Sequence, residues 1–198
     1  MNTEFLQRYF VAGSQNFPDL TLPECEGRIA LMMQSGITAY QFREKNPTLS
    51  TDEKQALAMR LRAKARELAV PFIVDDDVAL AIAIEADGIH VGQDDMPITD
   101  VVAQVAGQMI VGLSVRNKAE MVAAQSVIGI DYLGVGPVFA TTTKADAAAP
   151  LGLDGLMTTL NANTKQLPTV AIGGITLEDL PALHQSGVDG VAVISLLS

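Results

Sequence analysis

The chain has 198 residues, and its 13 lysines and arginines against 23 aspartates and glutamates give a formal net charge of −10. Hydrophobic residues make up 48% of the chain and charged residues 18%, a balance typical of globular domains that excludes general disorder. The acidic charge argues against nonspecific binding to nucleic acids or anionic membranes, because both attract clustered lysine and arginine. The single cysteine, Cys25, excludes an internal disulfide and suits a reducing compartment.

The N-terminus and the apolar runs favour a soluble cytoplasmic protein. Glu4 and Arg8 fall where a secretory signal peptide requires an unbroken apolar stretch. The apolar run 78–84 ends at Glu85, so no run approaches the roughly 18 residues of a membrane span. Because the length allows one full hydrophobic core and is short for two, we expect a single domain over residues 1–198.

Short apolar segments alternate with longer amphipathic segments along the whole chain. Several of the short segments are continuously apolar, as in strands that are covered on both faces. The clearest helix is predicted at 51–68, where Leu57 and Leu61 share one face and Ser50 or Thr51 can cap the N-terminus. In chain order the predicted elements are strand 9–12, helix 24–35, strand 39–42, helix 51–68, strand 72–74, helix 78–85, strand 88–91, helix 99–106, strand 110–113, helix 118–128, strand 132–135, helix 153–161, strand 170–172, helix 177–186 and strand 190–194.

Strands that alternate with helices in this way predict a single (β/α)8 barrel of the TIM type. The sequence stops just after the eighth strand, so we expect the last helix to be short or missing. A doubly wound open sheet is the alternative, and we disfavour it because no G-x-G-x-x-G follows the first strand. The recurring phrases EADGI, GIDYLGV and GVDG precede strands, and we interpret them as shared helix-to-strand turns without catalytic meaning.

In such a barrel, the loops that follow the strands build the active site. After the second strand, the alternation of side chains places Gln41, Arg43 and Lys45 on one side of the chain. Such a donor-rich group suits an anionic ligand. A solvated strand end is an equally good interpretation of the spacing alone.

Two clusters of carboxylates follow the third and fourth strands, at 75–77 and 94–95. Adjacent carboxylates repel one another, so the clusters are costly unless a cation lies between them. Oxygen ligands without a cysteine or histidine cluster favour Mg²⁺, which is usually held by one or two carboxylates and by substrate phosphates. Helix capping by Asp76 or Asp77 is the alternative, but capping explains only one aspartate of the cluster.

Three later loops carry features of phosphate sites. After the sixth strand, three threonines at 141–143 precede Lys144, and together they can hold a phosphorylated ligand. Gly173 and Gly174 follow the seventh strand and Ser195 follows the eighth, which is the usual phosphate site of this fold. Two anion sites on one rim predict two phosphorylated substrates.

Three further residues invite a functional interpretation. His90 lies within the fourth strand, and we favour a buried structural role over an acid–base or pocket-lining role. His184 falls in an outer helix and is interpreted as structural. Cys25 begins a helix without a histidine nearby in sequence, so we interpret it as an ordinary residue rather than a nucleophile.

Taken together, these motifs resemble the thiamin phosphate synthase family of (β/α)8-barrel enzymes. The matching stretches are, in family order, YFVAG (9–13), QFREK (41–45), FIVDDDVALA (72–81), ADGIHVGQDD (86–95), GLS (112–114), DYLGVGPVFATTTK (131–144), VAIGGIT (170–176) and GVDGVAVIS (187–195). The resemblance implies a Mg²⁺-assisted transferase that joins a hydroxymethylpyrimidine diphosphate to a thiazole phosphate. It would release pyrophosphate, pass through a pyrimidine methylene cation and give thiamin phosphate.

The resemblance also implies roles for the matching positions. Arg43, Ser114 and Lys144 would act in catalysis. Asp76 and Asp95 would be the Mg²⁺ ligands. The residues that would bind the pyrimidine diphosphate are Gln41, Arg43, Lys45, Asp75, Ser114 and Lys144. The residues that would bind the thiazole phosphate are Thr141, Thr143, Gly174, Ile194 and Ser195.

Three other functions are compatible with parts of this sequence. A related thiazole tautomerase would handle only the thiazole phosphate. It would not need the diphosphate and metal set, namely Arg43, Lys45, Asp76, Asp95 and Lys144. A non-catalytic protein that binds a thiamin precursor is suggested only by Asp75, which stands where the family commonly has asparagine. A sugar-phosphate epimerase or aldolase would be marked by a catalytic lysine at a strand end or by paired proton-shuttle acids, and neither is clear. Apolar residues on the outer helices are compatible with a homo-oligomer.

Overall fold

The computed structural model describes residues 3–141 and 148–194, which form a closed barrel of eight parallel strands. Each strand pairs with its neighbours in sequence, and β1 closes the barrel by pairing with β8. The strands are Arg8–Ala12 (β1), Ala39–Phe42 (β2), Phe72–Asp75 (β3), Gly88–Val91 (β4), Ile110–Val115 (β5), Tyr132–Val135 (β6), Thr169–Ile172 (β7) and Gly190–Val193 (β8). The closed sheet confirms the predicted (β/α)8 barrel and shows that the open sheet is wrong.

Helices connect the strands on the outside of the barrel. They are Leu22–Met33 (α1), Thr51–Glu67 (α2), Val78–Ala83 (α3), Ile98–Val105 (α4), Lys118–Ala124 (α5), Gly152–Leu160 (α6) and Leu180–Gln185 (α7). In the described part of the chain, which ends at Ile194, no α-helix follows β8. None of the helices in that part is both long and apolar enough to cross a membrane.

The strands are covered on both faces because their side chains alternate between two hydrophobic layers. Inward residues such as Tyr9, Ile73 and Val170 fill the barrel interior. Outward residues such as Phe10 and Leu133 belong to the larger core beneath the helices. This double burial is the physical reason that the strands appear in the sequence as continuous apolar runs.

The longest helix, α2, has both features that its sequence predicted. Ser50 caps it, since the Ser50 hydroxyl accepts a hydrogen bond from the Glu53 N–H at 3.3 Å and the Glu53 carboxylate accepts one from the Ser50 N–H at 2.9 Å. Leu57 and Leu61 on its apolar face are fully buried. The predicted helix 177–186 is different, because a 3₁₀ turn over Leu177–Asp179 precedes α7. Pro181 then lies in the first turn of α7, where proline is tolerated.

Four turns that lead into the even-numbered strands share one hydrogen-bond arrangement. In each turn, a side-chain oxygen accepts from a backbone N–H near the start of the preceding strand, and the backbone N–H of the same residue donates to the carbonyl of that strand residue. The side-chain pairs are Thr38 with Arg8 N, Asp87 with Phe72 N, Asp131 with Val111 N and Asp189 with Thr169 N, each at 2.8 Å. The repeated aspartates of the sequence therefore join adjacent strands at the end of the barrel opposite the site described below.

Candidate active site

A cavity opens at the carboxyl ends of the strands, and its volume is about 1330 Å³ when its open mouth is included. Most of the predicted site residues line it, namely Gln41, Arg43, Asp75, Asp76, Asp95, Ser114, Thr141, Gly174 and Ile194. Lys45 lies beside the cavity and contacts two of the lining aspartates. Thr143, Lys144 and Ser195 lie outside the described residues. The structure therefore brings together residues as far apart in the sequence as Gln41 and Ile194, as the barrel topology requires.

Two cations at the end of β2 face carboxylates at the end of β3. Arg43 Nε lies 3.3 Å from Asp75 Oδ2, and Lys45 Nζ lies 3.7 Å from the same oxygen while it also donates to Asp76. The Asp75 side chain is only 9% exposed. Burial raises the pKa of Asp75, and the charge of Asp76 raises it further, while Arg43 and Lys45 lower it. The arrangement holds one positive side chain in the cavity wall and another beside it, where an anionic ligand can share them with the carboxylate.

Asp76 and Asp95 form a second acidic group across the ends of β3 and β4. The Asp76 N–H donates to the His90 carbonyl at 2.8 Å, and φ of Asp76 is +62°, a left-handed conformation. Asp95 Oδ2 accepts from the Gly92 N–H at 2.8 Å. Burial raises the pKa of Asp95, and a hydrogen bond shared with the Asp76 carboxyl raises it further. Two carboxyl groups in contact gain from a divalent cation between them, so this donor set fits Mg²⁺.

The neighbouring aspartates have structural partners. Asp77 caps α3 by accepting from the Leu80 N–H at 3.0 Å, and it pairs with Lys54 at 2.9 Å. The capping interpretation is therefore correct for Asp77 and wrong for Asp76. Asp94 lies at the mouth of the cavity and pairs with Arg116 at 2.9 Å. Across residues 3–141 and 148–194, no group of three or more acidic, histidine or cysteine side chains could hold a metal ion.

The loop after β7 meets the loop after β6 through two glycines. Gly173 and Gly174 have φ of +100° and +65°, which favours glycine. A Cβ on Gly174 would also overlap the backbone of Phe139 and Ala140. Thr141 and Ile194 line the same cavity as these two glycines. The backbone at such a glycine turn can approach a phosphate closely, and a phosphate site at this turn stays a prediction.

A chain of hydrogen bonds runs across the barrel interior beneath the cavity, and sequence analysis missed most of it. Gln41 Nε2 donates to Tyr9 Oη at 3.0 Å, and Tyr9 Oη lies 2.7 Å from Tyr132 Oη. Tyr132 Oη lies 2.9 Å from His90 Nδ1, and His90 Nε2 lies 2.8 Å from Ser114 Oγ. His90 is thus both buried and part of the cavity wall. The favoured structural role and the pocket-lining role coincide.

The glycines of β5 and β6 make room for this chain. A Cβ on Gly112 would overlap the ring of Tyr132 and Nδ1 of His90. A Cβ on Gly134 would lie 3.1 Å from Cε1 of His90. In the strand register Gly112 lies opposite Tyr132, whereas alanines lie opposite Tyr9. The signal in the sequence was therefore two inward tyrosines with a glycine opposite one of them, a pattern that only strand pairing makes visible.

Comparison with known proteins identifies relatives over almost the whole chain. The model of the family described as thiamine monophosphate synthase matches residues 8–197. A thiamine-phosphate synthase of Levilactobacillus brevis is 49% identical over 195 residues, which are 98% of this chain and 88% of that protein. One of Lactococcus lactis subsp. lactis is 48% identical over 195 residues, with 98% and 89% covered. A solved structure of thiamine phosphate pyrophosphorylase from Pyrococcus furiosus superposes with a TM-score of 0.83 at 35% identity, and the match covers 98% of this chain and 87% of that one.

Proposed function

The chain belongs to the thiamine monophosphate synthase family, and from this premise we propose that it joins a hydroxymethylpyrimidine diphosphate to a thiazole phosphate or its carboxylated precursor. The products are thiamin phosphate and pyrophosphate. The observation that carries the proposal is the meeting of Arg43, Lys45, Asp76 and Asp95 at one edge of the cavity, because a site for a diphosphate and a divalent cation needs this set.

The bond changes follow a dissociative substitution. The bond between the pyrimidine methylene carbon and the diphosphate oxygen breaks, and its electron pair leaves with pyrophosphate. The thiazole nitrogen then donates its electron pair to the methylene cation. Arg43 and Lys45 stabilise the negative charge that accumulates on the leaving group, and Lys144 is proposed to act with them. Confining both substrates in one cavity supplies the proximity that the second step requires.

The remaining side chains of the cavity hold the reactants. Gln41 and Ser114 contact the pyrimidine, and Thr141, Thr143, Gly174, Ile194 and Ser195 bind the thiazole phosphate. Asp76 and Asp95 would hold Mg²⁺, which when bound supplies Lewis-acid stabilisation of the diphosphate. No protein nucleophile is needed, and Cys25 is a buried residue of α1 that does not line the cavity.

The alternatives explain less of the site. A thiazole tautomerase has no use for the cation and carboxylate set at the ends of β2, β3 and β4. A non-catalytic precursor-binding protein accounts for the cavity but rests on Asp75 alone. We further propose that residues 1–198 form one domain, which the family match over residues 8–197 supports. We also propose that this domain acts in the cytoplasm, where its single cysteine suits a reducing compartment.

The test is product formation from both substrates, with Mg²⁺ and with EDTA. We expect thiamin phosphate and pyrophosphate in equal amounts, only when metal is present. Arg43→Ala should lower kcat/KM by about a hundredfold, since charge-assisted contacts to a leaving group are worth about 2–4 kcal/mol. Arg60→Ala, which removes an arginine from the outer face of α2, is the matched control and should have no effect. If both ligands bind and no product forms, the proposed synthase activity is contradicted and a non-catalytic precursor-binding function is supported.

A further inference from the structure

The interior hydrogen-bond chain offers an inference about how the proposed substrate is recognised. All five of its members line the cavity. Gln41, Tyr9, His90 and Tyr132 are buried, while Ser114, at one end of the chain, is partly exposed. We propose that Tyr9, Tyr132 and His90 are positioning residues, which orient the Ser114 hydroxyl as a hydrogen-bond donor toward an acceptor atom of the pyrimidine. The proposal rests on the proposed function for the identity of the ligand.

The direction of the chain follows from the number of protons available. Burial raises the pKa of both Tyr9 and Tyr132, so each phenol keeps its single proton. In the described part of the chain, Tyr9 Oη has two hydrogen-bonding neighbours, Gln41 Nε2 and Tyr132 Oη. Since the Gln41 amide donates to Tyr9, the Tyr9 proton is directed at Tyr132. An opposite direction would leave the buried Tyr9 proton without an acceptor, which is costly.

The remaining members follow in turn. The Tyr132 oxygen accepts from Tyr9, so its own proton is donated to Nδ1 of His90. An imidazole that accepts at Nδ1 carries its proton on Nε2 when it is neutral, and this proton is donated to Ser114 Oγ. Ser114 then accepts from within the protein, and its hydroxyl proton is left for the cavity. Five residues from five strands thereby determine that the Ser114 hydroxyl acts as a hydrogen-bond donor toward the cavity.

The polarity matches the chemistry of an aminopyrimidine. Such a ring has nitrogen atoms that accept hydrogen bonds and an amino group that donates them. Ser114 supplies a donor, and the amide of Gln41, whose Nε2 is directed at Tyr9, has a carbonyl oxygen that can only accept. The two ends of the chain thus complement the donor and acceptor pattern of the proposed substrate.

The direct test is the tautomer of His90. The chain has two histidines, so long-range ¹H–¹⁵N spectra of ¹⁵N-histidine-labelled protein contain two ring systems, and His184→Gln assigns them. Spectra are recorded without substrate at about pH 8, above the ordinary imidazole pKa. We expect the Nε2–H tautomer for His90. The Nδ1–H tautomer would mean that the chain runs in the opposite direction and would overturn the proposal.

The functional test is the pair Tyr132→Phe and Tyr40→Phe. Both tyrosines are fully buried, but the Tyr40 hydroxyl donates to the Ala12 carbonyl at 3.0 Å and takes no part in the chain. In Tyr132→Phe we expect KM for the pyrimidine diphosphate to rise about tenfold while KM for the thiazole phosphate is unchanged, as for the loss of one oriented hydrogen bond. Tyr40→Phe should change neither. Equal changes in both KM values, or none, would overturn the positioning role.

Two further measurements keep the test decisive. If Tyr132→Phe does not fold, Tyr9→Phe is the second variant, because it removes the first phenolic proton of the hydrogen-bond chain. The same selective rise in KM for the pyrimidine diphosphate is expected. The histidine spectra require no substrate, so an inactive wild-type protein would refute the proposed function and leave the proton direction open to measurement. An Nδ1–H tautomer in an active enzyme would refute only this inference.

Discussion

Asp75→Asn tests whether the carboxylate of Asp75 competes with the diphosphate for its cations. Asp75 Oδ2 lies 3.3 Å from Arg43 Nε and 3.7 Å from Lys45 Nζ, so a bound diphosphate must share both cations with it. Asparagine keeps the shape of the side chain and removes its charge. We therefore expect the variant to bind the diphosphate group more tightly than the wild type.

The magnitude follows from the burial of the pair. Exposed ion pairs are worth about 0–1 kcal/mol, and breaking a fully buried pair costs about 3–5 kcal/mol. The Arg43 side chain is 17% exposed and the Asp75 side chain is 9% exposed, so the free energy of their ion pair lies between these limits. We take about 1.5 kcal/mol as the free energy by which the Asp75 carboxylate weakens diphosphate binding. A change of that size corresponds to a roughly tenfold lower Kd.

Titration calorimetry with inorganic pyrophosphate in the presence of Mg²⁺ measures this Kd without turnover, and KM for the pyrimidine diphosphate should fall in parallel. Asp77→Asn is the matched control, because Asp77 pairs with Lys54 and caps α3 without lining the cavity. Its Kd should equal that of the wild type. A Kd for Asp75→Asn that is unchanged or higher would refute the reasoning and would mean that the carboxylate holds Arg43 and Lys45 in their binding positions.

Three other variants test the proposed metal site, a hydrogen bond that joins two strands of the barrel, and the buried thiol. Asp95→Asn should raise the Mg²⁺ concentration for half-maximal activity by about tenfold or more, because one carboxylate ligand is lost. An unaltered Mg²⁺ dependence in this variant would show that Asp95 is not a ligand of the proposed metal site. Asp131→Ala leaves the Val111 N–H without its partner and should lower the free energy of urea unfolding by about 1–3 kcal/mol without altering KM, whereas a KM effect would indicate a contact with the site. Cys25→Ala should retain kcat, and the native thiol should react slowly with iodoacetamide because burial raises the pKa of Cys25; rapid alkylation of the folded protein would contradict this.

The sequence by itself determined the barrel and the residue types at its rim. Apolar runs such as 132–135, alternating with amphipathic segments such as 51–68, predict strands covered by helices, and the pattern is local enough to appear without tertiary structure. Residues that directly follow a strand, among them Arg43 and Asp76, were assigned to the rim because strand ends meet there in any parallel barrel. The ordered motifs then pointed to the family that the comparisons identify.

Only the tertiary structure decided which of these residues act on one another. Asp77 rather than Asp76 caps α3 because the backbone turns at Asp76, a conformation that the Asp-Asp-Asp sequence does not specify. The hydroxyls of Tyr9 and Tyr132 are 123 positions apart in the chain and 2.7 Å apart in the barrel. Strand register, closure between β1 and β8, and the space left by Gly112 create this contact. Such contacts depend on the sum of all pairings around the barrel, and so no local pattern in the sequence could reveal them.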